Sequence, residues 1–234
     1  MGDAVVFRFG YFDCFALAKL ERFRQWENNG ATLLNPTSFI LDSKVIMAAL
    51  QLPAVRQQIA VADATALAIL DQSIPETVLL QPAQVARLVQ SKDDWVLKFA
   101  GFDSGNQAWG GRSLRIGAQH TQAAWGQIID QFLELPWPVV AQRTVPSACV
   151  DIAYGDANNQ QQWLRQGTTR LRTFMLRDAA SDAHPFTWVG GSHITVSGGT
   201  LQVSESTDAV QAPVLFSSDL FSPQFSKLCH PENM

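Results

Sequence analysis

Short β-branched or aromatic runs alternate with amphipathic stretches along the chain, and this interleaving predicts an α/β or α+β fold whose sheets are mainly antiparallel. Two further observations support that class. The 234 residues are 47% apolar and only 16% charged, enough for a substantial core and too apolar for a disordered chain. Gly, Pro and Asn fall between the periodic segments, where turns are expected. No apolar run approaches the roughly 18 uncharged residues that a membrane span needs, so no membrane association is expected. Seventeen Lys and Arg against 21 Asp and Glu leave a net charge of −4 and no broad basic field, which argues against nucleic acid as a partner.

Ala4–Phe9 carries adjacent β-branched residues at Val5 and Val6 and predicts a strand. Phe15–Asn28 places Phe15, Leu20, Phe23 and Trp26 at mostly helical intervals, and Asn28, Asn29 and Gly30 supply a C-terminal stop. Thr32–Leu34 reads as a short buried strand ending at Asn35 and Pro36. A helix from Lys44 to Leu50 follows, with Asp42 or Ser43 available to cap it. Ala62–Leu70 is Ala-rich and helical. Thr77–Leu80 reads as a strand after Pro75, and Pro82–Gln90 as a short helix with Pro in its first turn.

Trp95–Phe99 predicts a compact strand. A Gly-rich loop over residues 100–111 and a strand at Ser113–Ile116 come next, then an amphipathic helix over Gln122–Leu133 and a strand at Val139–Gln142. Asp156–Arg165 is polar and predicts a loop or hairpin tip. Leu171–Leu176, Thr187–Val196 and Leu201–Ser204 predict further strands, and Pro223–Leu228 has weak helical character.

Cys14, Cys149 and Cys229 form no C-x-x-C pair, and His120, His184, His193 and His230 show no ligand spacing, so neither a disulfide framework nor a structural zinc site is expected. The N-terminus lacks a basic segment followed by an apolar one and does not read as a signal peptide, so a cytoplasmic protein is the default expectation. Lysines are scarce: Lys19, Lys44, Lys92, Lys98 and Lys227 are the full set. Two of them lie in apolar surroundings. Lys98 ends the strand before the Gly-rich loop, whose backbone N–H groups suit phosphates. Lys44 opens a helix, where the dipole favours anions. No Walker sequence is present.

The order of these motifs resembles the ATP-grasp enzymes. Asn35-Pro36, Ser43-Lys44, Ile74-Pro75-Glu76-Thr77, Val96-Leu97-Lys98, the Gly105–Gly111 loop and the Trp137–Gln142 segment follow that family's sequence. Leu171–Phe174 and Trp188–Gly191 are closer to its circularly permuted, glutathionylspermidine-synthase-like branch. The resemblance spans roughly residues 5–205. It implies mainly antiparallel sheets with packed helices and a nucleotide site between two subdomains, drawn here at residues 1–95 and 96–234. By the same resemblance Lys44 and Lys98 hold the nucleotide phosphates. Gly101, Gly105, Gly110 and Gly111 form the loop that closes over them. Gln142 ends the hinge strand whose backbone meets adenine. Arg172 faces the γ-phosphate or an acyl phosphate.

The implied reaction is ATP-dependent ligation of a small carboxylate to an amine through an acyl phosphate, with ATP and Mg²⁺ as cofactors. Asp103 is the candidate metal ligand and Asp208 a weaker one. Glu27-Asn28-Asn29 and Asp156-Ala157-Asn158 fit the family's acidic pattern, but each also reads as a cap or turn. The chain begins near the first matched strand, so a partner chain supplying the family's preceding domain is expected. The second reading is a catalytically degenerate nucleotide- or protein-binding module of the same fold. A Ser–His hydrolase built on His193 is a third, although no G-x-S-x-G elbow is present. Trp95, Trp125, Trp137 and Trp188 are expected in the core, Trp109 as an anchor of the Gly loop, and Arg170 and Arg172 on one side of a strand.

Overall fold

The computed structural model describes residues 4–6, 17–34, 43–100, 113–156, 158–177, 186–188, 192–198 and 209–214. The chain is an α+β protein that forms two compact units, Met1–Val145 and Pro146–Met234. The expected division at 95/96 instead falls within the main sheet of the first unit, whose strands run from Thr77 to Arg143.

The first unit opens with β1 (Val5–Val6), α1 (Leu17–Asn28) and β2 (Thr32–Leu33). The two strands pair in parallel, Val5 with Thr32 and Val6 with Leu33, on either side of the helix. α1 stops where the sequence predicts. Gly30 adopts φ 85°, a left-handed conformation that glycine enters without Cβ strain. Its N–H donates to Glu27 O at 2.9 Å, and Ala31 N–H donates to Trp26 O at 2.9 Å.

After α2 (Val45–Ala49) come α3 (Pro53–Ala62), a helix not expected from the sequence, and α4 (Ala64–Ser73), which contains nearly all of the expected Ala-rich helix at Ala62–Leu70. Pro53 sits in the first turn of α3, where its missing N–H costs nothing. Asp63 separates the two in an extended conformation. Its carboxylate accepts from Thr65 N–H at 2.9 Å and Ala66 N–H at 3.1 Å, capping α4. Arg56 then clamps α3 to α4 through a bidentate pair with Asp71 at 2.7 and 2.8 Å.

The central sheet contains β3 (Thr77–Leu79), β4 (Trp95–Phe99), β5 (Arg115–Ile116) and β6 (Val139–Arg143), in the order β3-β6-β4-β5 with every pair antiparallel. Two helices, α5 (Val85–Gln90) and α6 (Gln122–Leu133), pack against it. Side chains alternate across the sheet, and its two faces differ in chemistry. One face buries Trp95, Leu97, Phe99, Val139 and Ala141 against Leu88, Trp125, Ile129 and Phe132. Trp125 Nε1–H donates to Leu88 O at 3.0 Å, so the buried indole keeps a partner. Trp137 is half-buried rather than fully in the core. The other face carries Thr77, Gln142, Val96, Ile116, Val140 and Lys98, and the short α2 packs over part of it through Ala48 and Val45.

At one end of this sheet Trp95, 0% exposed, lies under two guanidiniums, Arg143 at 4.5 Å and Arg87 at 4.9 Å from its ring centroid. Glu76 accepts from both arginines, and Asp94 accepts from Arg143 at 2.6 Å. The network ties the starts of β3 and β4 to the end of β6.

The second unit holds β7 (Cys149–Gly155), β8 (Gln161–Arg172), β11 (His193–Ser197) and β12 (Ala209–Pro213), in the order β12-β11-β8-β7 and antiparallel throughout. A separate pair joins β9 (Met175–Arg177) to β10 (Phe186–Trp188). The polar Asp156–Arg165 segment is a loop only at its tip. Asp156 Oδ1 accepts from Asn158 N–H at 2.8 Å and Gln160 N–H at 2.9 Å, and β8 begins at Gln161. The expected strands at Leu171–Leu176 and Thr187–Val196 are each divided, since β8 ends at Arg172 and Trp188 ends β10 before β11 starts at His193. The expectations for Leu201–Ser204 and Pro223–Leu228 lie outside the described residues.

Candidate functional site

The polar face of the central sheet brings together three residues singled out from the sequence: Lys44, Lys98 and Gln142. β4 and β6 pair so that Lys98 lies opposite Val140 and Gln142 opposite Val96. Lys98 and Gln142 are therefore diagonal neighbours on one face. The Lys98 ammonium donates to Gln142 Oε1 at 2.6 Å. Gln142 Nε2 donates to Thr77 Oγ1 at 2.9 Å and lies 3.3 Å from Met47 Sδ. Thr77, fully buried, donates its hydroxyl to Pro75 O at 2.8 Å.

Lys44 reaches this site because its helix is tied down at its start. The Ser43 hydroxyl donates to Ala100 O, two residues beyond Lys98, and accepts from Val45 N–H at 3.1 Å. Lys44 holds the N-cap position of α2 and makes no side-chain capping bond there. α2 has five residues, too short for the anion-binding helix terminus expected from the sequence. The positive charge on this face comes from the lysines themselves.

Burial and the neighbouring Lys44 charge both push the Lys98 pKa below the ordinary lysine range. An ammonium loses solvation when buried, and a second cation opposes its charge further. Its short contact to Gln142 is to a neutral amide, so it leaves the charge of Lys98 uncancelled.

The Gln142 backbone lies in the middle strand, paired to Thr77 on one side and Val96 on the other. The group it presents to Lys98 is its side chain, where the resemblance assigned a backbone contact to adenine. Gly101, Asp103, Gly105, Gly110, Gly111 and Trp109 lie outside the described residues, as does Asp208. Arg172 belongs to the second unit. Arg170 and Arg172 share one face of β8, opposite Thr195 and His193 on β11, and Arg172 Nη1 lies 3.4 Å from His193 Nε2. The Glu27–Asn29 segment ends α1 and Asp156 builds a turn, as their cap and turn readings predict. Among the described residues no group of three or more His, Cys, Asp or Glu is placed to hold a metal ion.

Three contributors to the site were not assigned a role there from sequence: Thr77, Met47 and the Ser43 tie to Ala100. The sequence does hold a signal for Thr77, a small polar residue in a strand whose next positions are apolar. Its partner 65 residues away is set by strand pairing alone. Searched against models of known protein families and against curated proteins, the chain matches none.

Proposed function

We propose that the chain is an ATP-grasp-type, ATP-dependent carboxylate–amine ligase, with the Lys44–Lys98 face as its phosphate site. The observation that carries this reading is that Lys44 and Lys98, 54 positions apart in a lysine-poor chain, lie near enough for one charge to act on the other, while Lys98 is held by a neutral amide. That donor set suits the oxygens of a polyphosphate. Ammonium groups donate and never accept, and charge-assisted bonds to phosphate oxygens are the strong kind.

When bound, ATP supplies the phosphoryl group that activates a carboxylate as an acyl phosphate for attack by an amine. The work of this chain's lysines is to hold the phosphates and offset their charge, which is the main protein contribution in phosphoryl transfer. The Ser43 tie fixes the approach of α2, and the sheet fixes Lys98. The described residues provide no metal-ligand set, so no step is assigned to Mg²⁺.

Calorimetric titration with ATP and Mg²⁺, followed by ADP release across paired carboxylates and amines, tests the proposal. Saturable binding with substrate-dependent ADP release is the expected result. Binding without release under any pairing would replace the ligase with a nucleotide-binding module, and no binding at millimolar ATP would refute both.

A further inference from the structure

Lys98 is held by a side chain with only one workable orientation. An ammonium can only donate, so Gln142 must turn Oε1 towards Lys98 and Nε2 towards Thr77. Thr77 gives its single proton to Pro75 O, so its oxygen is left to accept from Nε2. The bonds thus run one way, from Lys98 through Gln142 and Thr77 to a backbone carbonyl. Thr77 and Gln142 are both buried, and a buried amide with both ends engaged has little freedom to swing.

A carboxylate would be the ordinary partner for a half-buried lysine, because burial of a charge is costly unless it is paired. Here the position holds the neutral isostere instead. The groups around Lys98 in the described residues agree: α2 contributes Lys44 and Met47, β6 contributes Gln142 and Val140, and β3 contributes Thr77.

We infer that Gln142, locked by Thr77, is a positioning residue that fixes the Lys98 ammonium without cancelling its charge, so that this charge is kept for a ligand of the polyphosphate class. The choice of ligand class rests on the phosphate-site reading above, whereas the locking of Lys98 does not. An amide in place of a carboxylate leaves the site about one charge more positive, which favours polyanions over zwitterions or neutral ligands.

The test uses the full chain labelled with ¹³C,¹⁵N-lysine. Five lysines give five side-chain signals, and Lys44→Arg and Lys98→Arg assign the two of interest. The Lys98 signal is followed against pH in the wild type, Gln142→Glu, Thr77→Val and Thr77→Ser, and inorganic triphosphate binding is measured on each by calorimetry. In the wild type Lys98 should titrate below the other lysines. Gln142→Glu should raise its midpoint by about one unit or more, since an adjacent carboxylate favours the charged form, and should weaken triphosphate binding by roughly tenfold or more. Thr77→Val should weaken triphosphate binding and shift the Lys98 signal, and Thr77→Ser should restore both.

A Lys98 midpoint that ignores Gln142→Glu would overturn the inference. So would triphosphate binding that is absent from the wild type or unchanged by that substitution. If Gln142→Glu does not fold, the Thr77→Val and Thr77→Ser pair decides, and equal Lys98 signals and affinities in those two would sink the idea. If ADP release fails while these shifts and losses appear, the ligase reading falls and this inference stands.

Discussion

Lys44→Met tests the phosphate site directly. Lys44 is half-buried at the first turn of α2 and makes no capping bond with its side chain, while Met preserves the apolar stem. Its charge also opposes that of Lys98, so its removal takes away a repulsion. The melting temperature without ligand reports the balance of that relief against the loss of Lys44's own contacts. Affinity is the decisive readout. A charge-assisted contact to phosphate contributes about 1.5–3 kcal/mol, which at about 1.4 kcal/mol per tenfold predicts roughly 10- to 100-fold weaker ATP binding. Lys98→Met should cost affinity on the same scale. The double variant should depart from the sum of the two by more than the ~0.5 kcal/mol seen for independent sites, because both groups grip one ligand. Isothermal calorimetry on the four proteins closes the cycle, with thermal melts run in parallel. Wild-type affinity in both single variants, or losses that simply add, would refute the shared phosphate site.

Other perturbations follow from the same geometry. Because the Lys98 pKa is depressed on folding, the unfolded chain binds more protons between the lowered value and the ordinary lysine value near 10.5. Stability should rise with pH across that window, and Lys98→Met should remove this part of the rise in denaturant melts at stepped pH. Trp95→Ala should destabilise by about 3–5 kcal/mol, since the ring is fully buried beneath Arg87 and Arg143, and chemical denaturation reads the loss. Asp63→Ala should cost about 0.5–2 kcal/mol through the lost α4 cap, with reduced helical circular dichroism on warming as the readout. Gly117→Ala places a Cβ 1.9 Å from Lys92 O, a backbone atom, so it should cost at least about 1–3 kcal/mol, and an unchanged melting temperature would contradict the packing there.

Some of this protein was legible in its sequence. Trp95–Phe99 and Gln122–Leu133 form a strand and a helix with the bounds their patterns predict, because their apolar residues face one large core and period follows burial. Gly30 marked the end of α1 because few other residues enter a left-handed conformation easily. β7 and the first half of β8 were not expected as strands. Both are largely exposed: β7 carries a short alternation at Val150, Ile152 and Tyr154 with only partial burial, and the start of β8 carries none, so ladder pairing holds them as strands. The start of α4 was similarly obscured, because the Ala-rich pattern runs back across Asp63 and the cap shows only once its carboxylate has turned onto Thr65 and Ala66. The candidate site divides the same way. Lys44 and Lys98 stand out by their scarcity and apolar flanks, which are local properties of the chain. Their meeting is not local: it depends on the antiparallel register that sets Gln142 beside Val96 and Thr77, and on the Ser43 bond to Ala100 that draws α2 over that face. Register and docking minimise the free energy of the whole unit, so only the folded structure decides which distant polar residues share a face.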